Sequence, residues 1–372
     1  MKILLITSTD IYMKSGGAFA NRAFYDSLNR HYPGNVDVIQ YHETGSKVKS
    51  FLRGMIHRLY YWLLDYLDER KGVYQICVIN SGLFGDLVPE IKKRGIRVVT
   101  IHHNFETVFQ MDSKSPVTLW GLTPWFVERN ERKAYRYSDL NIFLSEYDQM
   151  VMQSHYGSSC TKNDVVVGVY ETIEHSECIF NVEAIKPMNI DMAISGSMDH
   201  LQSRLGFLDF ESHYYPIFKR IVPSSQLVIT GRNPQKTIVD FAEKNDLVAL
   251  IPNPDIISDV IKDCSIYCCP VNVGSGVKFR ILDGLRLGMP ILTHAVSARG
   301  YEAYANQPWF QAYHDAESFE RGLKTILQYI DLHDNFRSEI VQNYKAVLSF
   351  EVGNRKFIDA ISKLDECIGE SH

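Results

Sequence analysis

The sequence predicts an α/β protein of two domains, each a parallel sheet flanked by helices, and three observations predict it. Apolar runs of strand length alternate with longer stretches of helical pattern along the chain, the mark of parallel strands joined by helical crossovers. At 372 residues, 45% of them hydrophobic, the chain exceeds what one core usually covers. Several apolar runs end in a glycine turn that opens a helical stretch, and sheets of this kind hold ligands at the carboxyl ends of their strands.

In chain order, Ile3–Thr7, Val36–Gln40, Tyr74–Asn80, Arg97–Ile101, Leu140–Leu144 and Val165–Val169 are the strands of a first domain, with helical stretches between several of them. Asp191–Ser195, Gln226–Thr230, Leu247–Ile251, Ser265–Cys269 and Pro290–Thr293 are the strands of a second. The interval from Glu171 to Asn189 is polar, is broken by Pro187 and lacks a long element. It is the expected hinge, with 1–180 as the first domain and 188–350 as the second. A last helix, around Val352 to Ile368 beside a break at Gly353, occupies 351–372. No solenoid-period repeat and no low-complexity segment is visible.

The formal net charge is −5, so there is no basic excess to neutralise a nucleic acid. Seven cysteines, an odd number with no Cys-x-x-Cys pair, suggest neither a disulfide framework nor a zinc site. The first strand starts directly after Met1, and no run of roughly 18 apolar residues follows. A cytoplasmic location is expected.

The most informative stretch runs from Val273 to Leu292, VGSGVKFRILDGLRLGMPIL. It reads as a glycine turn after an apolar strand, a short amphipathic helix, and Gly-x-Pro leading into the next strand. Glycines at a helix start bring backbone N–H groups close to an anion, and the helix dipole reinforces them. Gly274, Ser275, Gly276 and Val277 therefore read as a phosphate turn. Lys278 adds a point charge, and Asp283, deeper on the helix, is placed to accept hydrogen bonds from sugar hydroxyls.

This order of residues resembles the carboxyl-terminal donor-site signature of the GT-B glycosyltransferases, especially the retaining family 4 group. The resemblance implies two Rossmann-like domains facing an interdomain cleft, with the last helix returning to the first domain. It also implies that Gly276 and Val277 offer amides to a diphosphate, that Lys278 supports it, and that Asp283 holds the ribose. Two departures stand out: Ser275 occupies the place of the family's first glutamate, and the shorter Asp283 the place of its second.

In the first half, Ser15-Gly16-Gly17-Ala18 follows the first strand as a loop, with a helix from Phe19 to Leu28. It resembles the family's amino-terminal glycine loop, which implies that Gly17 lies near the donor diphosphate or the acceptor. His102, His103, Asn104 and Glu106 form the densest polar cluster of this half, at a strand's carboxyl end. They are similar to the family's strand-end His or His-Asn-x-Glu. Either histidine fits the family position; the role read for His103 is hydrogen bonding to a sugar, and for Glu106 orienting it or polarising the nucleophile. Adjacent strand positions point to opposite faces, which disfavours a His-His metal pair.

In the second half, the resemblance sets Gly196 and Ser197 beside the donor phosphates, without the family's usual Gly-Arg and later lysine. Arg232, in another strand-glycine turn, is a further cation for the diphosphate, its fork of donors suited to phosphate. Residues 47–64 mix basic, aromatic and aliphatic side chains at helical spacing. They suit an anionic membrane surface or an amphipathic helix packed on the sheet.

No metal and no cofactor is expected. The function expected is transfer of a sugar, of the hexosyltransferase type, from a nucleotide-diphosphate sugar to the hydroxyl of a glycan or lipid-linked acceptor. Retention and a setting in cell-envelope polysaccharide or glycolipid synthesis rest on the resemblance. Two rivals are a sugar-nucleotide epimerase of the same architecture and a non-catalytic GT-B subunit, the latter favoured by Ser275 and the missing Gly-Arg.

Overall fold

The computed structural model describes residues 1–7, 11, 16–40, 58–108, 122–157, 163–177, 182 and 189–366. The chain divides into two units, Met1–Glu177 with Ser275–Val277 and Leu348–His372, and Cys178–Gly274 with Lys278–Val347. Each is built on a parallel six-stranded sheet.

The first sheet consists of β1 (Ile3–Thr7), β2 (Val36–Gln40), β3 (Ile76–Asn80), β4 (Arg97–His102), β5 (Leu140–Phe143) and β6 (Asp164–Val166), in the order β2-β1-β3-β4-β5-β6. Every pairing is parallel. All residues of β1 and β3 are buried, as a sheet covered on both faces requires. The chain steps from β1 outward to β2 and returns to β3 on the other side. Thr7 and Asn80, paired across the two strands, thus mark the point where the strand order reverses, which is where doubly wound sheets take up ligands.

The first helix spans Gly16–His31, so Gly17 lies in its first turn and not in the loop the sequence suggests. Helix starts leave their first amides unpaired, and here glycines supply them. The helix Phe350–Glu366 packs on it, with Phe24 and Phe357 rings 4.8 Å apart and an Arg30–Glu351 ion pair of 2.5 Å. Gly353 is no break. It lies within that helix with its backbone against the Tyr170 ring. Of the basic-aromatic stretch, 47–57 fall outside the described residues. The helix Arg58–Glu69 that follows buries Leu63 and Leu67 in the first core and leaves Trp62 52% exposed. Among the described residues no helix is long and apolar enough to cross a membrane.

The second sheet consists of β7 (Met192–Ser195), β8 (Leu227–Gly231), β9 (Val248–Pro252), β10 (Ile266–Cys269), β11 (Ile291–His294) and β12 (Phe310–Tyr313). Its order, β12-β11-β10-β7-β8-β9, is again all parallel. Counted from β7, the order is the doubly wound 3-2-1-4-5-6, with its reversal between β7 and β10. The sequence shows no sign of β12, a four-residue edge strand in which Gln311 is half-buried and Ala312 exposed. Phe210, Phe218, Ile229, Ile266, Phe319 and Leu323 lie in the core of this unit.

Candidate functional site

In the second unit, glycine turns gather at the carboxyl ends of the strands around the reversal. Gly196, after β7, has φ +120° and Gly231, ending β8, has φ +144°. A side chain on Gly231 would overlap the Gly196 carbonyl. After β10, Gly274 has φ +94°, and a side chain on it would overlap the Gln202 amide. Such φ values suit glycine alone, so these turns are specified locally and then locked against one another. Gln202 Nε2 is buried and has no hydrogen-bond partner among the described residues.

The helix after this turn is shorter than the sequence suggests. It spans Ile281–Arg286, and Lys278 to Arg280 form a turn ahead of it, with the Ile281 amide on the Lys278 carbonyl at 3.1 Å. The amides of Gly276 and Val277 therefore belong to a loop and not to a helix N-terminus, because the left-handed φ of Gly276 cannot continue a helix. Lys278 is 9% exposed, and its carbonyl accepts from the Tyr301 hydroxyl at 3.1 Å. Asp283 is engaged: its carboxylate accepts from Ser195 Oγ at 3.1 Å and from Arg286 at 3.1 Å. Ser195 Oγ also meets the buried Tyr267 hydroxyl at 2.8 Å, and burial together with Asp283 raises that phenol's pKa. Arg232 is exposed, and its carbonyl accepts from the Met198 amide at 2.9 Å.

Sequence reasoning missed Arg280. Its guanidinium lies against Gly196 and donates to the carbonyl of Ser195 at 3.2 Å and to Ser203 Oγ at 2.9 Å. The signal available was its place two residues after Lys278, but a basic residue on a short helical stretch is ordinarily solvated.

In the first unit, β4 ends on a split pair of histidines. His102 is 1% exposed, stacks on Phe143 at 5.0 Å and lies 3.1 Å from Asn141 Oδ1. It lies in the core, and its Nδ1 has no hydrogen-bond partner among the described residues. His103, on the opposite face, bonds through Nε2 to Asn80 Oδ1 at the end of β3. The Asn80 amide nitrogen donates to Asn21 Oδ1 at 2.6 Å, so Asn80 Oδ1 accepts and His103 Nε2 carries the proton. His103 Nδ1 then bears a lone pair, and neither it nor Asn104 Oδ1 has a hydrogen-bond partner among the described residues. Burial holds both imidazoles down at about 4, in the neutral form.

Glu106 does not orient His103 through its Nε2, which Asn80 already holds. Burial, reinforced by Glu131 and Asp148, pushes the Glu106 carboxyl up to about 8. Glu131 accepts from the amides of Glu106 and Thr107 and from the Tyr156 hydroxyl. The turn Ser275–Val277 belongs to this unit. Ser275 Oγ donates to the Phe105 carbonyl at 3.4 Å, and a Cβ on Gly276 would stand 3.0 Å from the His103 carbonyl oxygen. Two sequence-predicted elements, the histidine strand end and the glycine turn, are thus brought together. Among the described residues no group of His, Cys, Asp and Glu is arranged to hold a metal ion.

No family model matches the sequence, and no curated protein matches it. Solved structures do match its fold. HepE of Anabaena in complex with UDP superposes with a TM-score of 0.68 at 11% identity, over 98% of this chain and 100% of that one. Sucrose-phosphate synthase of Thermosynechococcus elongatus gives 0.73 at 13% identity, over 98% and 99%. WaaG, a glycosyltransferase involved in lipopolysaccharide biosynthesis, gives 0.61 at 15% identity, over 95% and 98%.

The fold is GT-B.

The two six-stranded parallel sheets are the two Rossmann-like halves of the GT-B fold. HepE has also been solved with UDP-glucose. At these identities the likeness establishes the GT-B architecture, and activity has to be argued from the site.

Proposed function

We propose that this chain is a glycosyltransferase that moves a sugar from a nucleotide-diphosphate sugar to a hydroxyl acceptor. The observation that carries the reading is the pair of left-handed glycine turns at Gly196 and Gly274, after the two strands where the order of the second sheet reverses. Backbone amides freed of side chains at a switch point suit a diphosphate. Similarity in fold to proteins solved with UDP and UDP-glucose supports a nucleotide-sugar donor.

In this reading the bond from the anomeric carbon to the diphosphate oxygen breaks first. The diphosphate leaves with the electron pair, and its charge is met by the turn amides, Ser197, Lys278 and Arg232, an electrostatic role. The acceptor oxygen then attacks the face the leaving group vacates and passes its proton to the departing diphosphate oxygen, which gives retention as in family 4. Asp283, held by Ser195 and Arg286, presents a carboxylate edge to the ribose. The bare Nδ1 of His103 accepts a hydrogen bond from a sugar hydroxyl, and Gly17 lends a first-turn amide. Glu106, protonated at neutral pH, acts as a donor and not as a base. Hexosyl transfer to a glycan or lipid-linked acceptor at the cytoplasmic face of the membrane, in polysaccharide or glycolipid synthesis, is the setting proposed.

A thermal-shift screen against UDP, GDP, ADP, CMP and their sugar conjugates tests the donor site, with Lys278→Ala as its control. A ligand at a hundredfold excess over its dissociation constant stabilises by about 2.7 kcal/mol. Nucleotide release that depends on an acceptor distinguishes a transferase from an epimerase. No shift with any nucleotide would leave a non-catalytic subunit as the better reading.

A further inference from the structure

The cation that the second unit sets against the Gly196 turn is Arg280, and its hydrogen bonding is incomplete. One Nη1–H goes to the Ser195 carbonyl at 3.2 Å; Nη2 goes to the Ser197 carbonyl at 3.5 Å and to Ser203 Oγ at 2.9 Å. A guanidinium carries five N–H donors, so the Nε–H and one Nη1–H are unspent. Among the described residues no carboxylate forms an ion pair with Arg280; the nearby Asp283 is taken by Arg286 and Ser195. The side chain is half-buried. A Cβ on Gly196 would stand 2.7 Å from Cζ and 2.8 Å from Nε, so only glycine at 196 lets the guanidinium lie beside the turn.

We propose that Arg280 is a phosphate-binding residue of this site: it shapes the Gly196 turn through the Ser195 and Ser197 carbonyls and offers its charge and a remaining N–H to a phosphate of a nucleoside diphosphate. The assignment rests on the glycosyltransferase reading above and deepens it. Three features make the ligand a phosphate. The charge is permanent, it has no counter-ion among the described residues, and it stands at the strand-order reversal next to a turn with left-handed backbone. Anchoring by backbone carbonyls leaves the guanidinium no rotamer freedom to lose on binding, which preorganises it.

The test compares the wild type with Arg280→Gln and Arg280→Lys, using whichever of UDP, GDP or ADP shifts the wild type most, together with its parent nucleoside. Calorimetry reads the diphosphate, ligand-observed NMR reads the nucleoside, and thermal melts confirm that each variant is folded. Arg280→Gln is expected to weaken the diphosphate roughly tenfold to hundredfold, the factor of a lost charge-assisted hydrogen bond, and to leave the nucleoside unchanged. Arg280→Lys, which keeps the charge without the planar set of donors, is expected to fall between and covers the case in which the glutamine variant does not fold. Diphosphate affinity within about twofold of wild type in both variants would overturn the proposal, as would parallel loss of nucleoside and diphosphate, the mark of a purely structural arginine. A wild type that binds none of the three diphosphates would instead remove the glycosyltransferase reading, and the assignment with it.

Discussion

The backbone of Gly353 lies flat on the ring of Tyr170, so that a methyl group there would overlap Cγ and Cβ of the tyrosine. Tyr170 cannot easily retreat, because its hydroxyl meets Ser27 Oγ at 3.0 Å and its ring packs edge-on to Phe24 at 5.4 Å. In an open helix, glycine to alanine would gain about 1 kcal/mol. Overpacking a buried contact costs about 1–3 kcal/mol, so Gly353→Ala is expected to lower stability, by about 1 kcal/mol net or more. Denaturant unfolding of the wild type and variant measures it.

Asn80 keeps His103 in one tautomer, and burial, with His102 beside it, keeps the ring neutral. Replacing the amide with a carboxylate, Asn80→Asp, sets a negative charge on Nε2 and favours the imidazolium. The His103 pKa is expected to rise from about 4 to above its ordinary value, and an NMR titration of the histidine ring protons reports it. If transfer uses a neutral His103 as acceptor, kcat falls about tenfold or more at pH 6 and recovers as pH rises.

Glu106 links stability to pH in the direction opposite to a paired carboxylate. Its folded pKa of about 8 stands above the ordinary 4.5, so between those values the folded state holds a proton that the unfolded state has released. Stability from this group is complete below pH 4.5 and is lost as pH rises towards 8, by about 2 kcal/mol after allowance for partial exposure. The variant Glu106→Gln is expected to remove that slope and to be the more stable protein at pH 8. Melting temperatures of both proteins from pH 5 to pH 8.5 check it; equal slopes would show that Glu106 titrates normally.

Gly231→Ala combines a backbone at φ +144° with an overlap on the Gly196 carbonyl. Strain of this kind costs about 1–3 kcal/mol, and relief requires the Gly196 turn to move. The variant is expected to lose nucleotide affinity more than tenfold while melting only a few degrees lower, a contrast that calorimetry and thermal melts resolve together.

Much of the scaffold is legible in local signals. The runs Ile3–Thr7 and Val36–Gln40 coincide with β1 and β2, because strands buried on both faces must be continuously apolar. Gly196, Gly274 and Gly276 read as turns, and their positive φ values explain why no other residue stands there. The edge strand Phe310–Tyr313 escapes notice because Gln311 and the exposed Ala312 interrupt its apolar run, and Gly353 is misread because glycine marks a helix break and a close packing contact alike.

Residues adjacent in the chain suffice for the α/β class, the two-sheet division and the turns at strand ends. Contacts between remote segments supply the rest. Strand order sets the reversal between β7 and β10, the packing of β4 buries His102 and leaves His103 to Asn80, and Arg280 reaches Gly196 from a distant segment. The physical reason is common to all three. Alternation on a strand states that neighbours face opposite ways, and composition states that a cation is present. Only the placement of partners remote in sequence settles which face is buried and which carbonyls hold the cation.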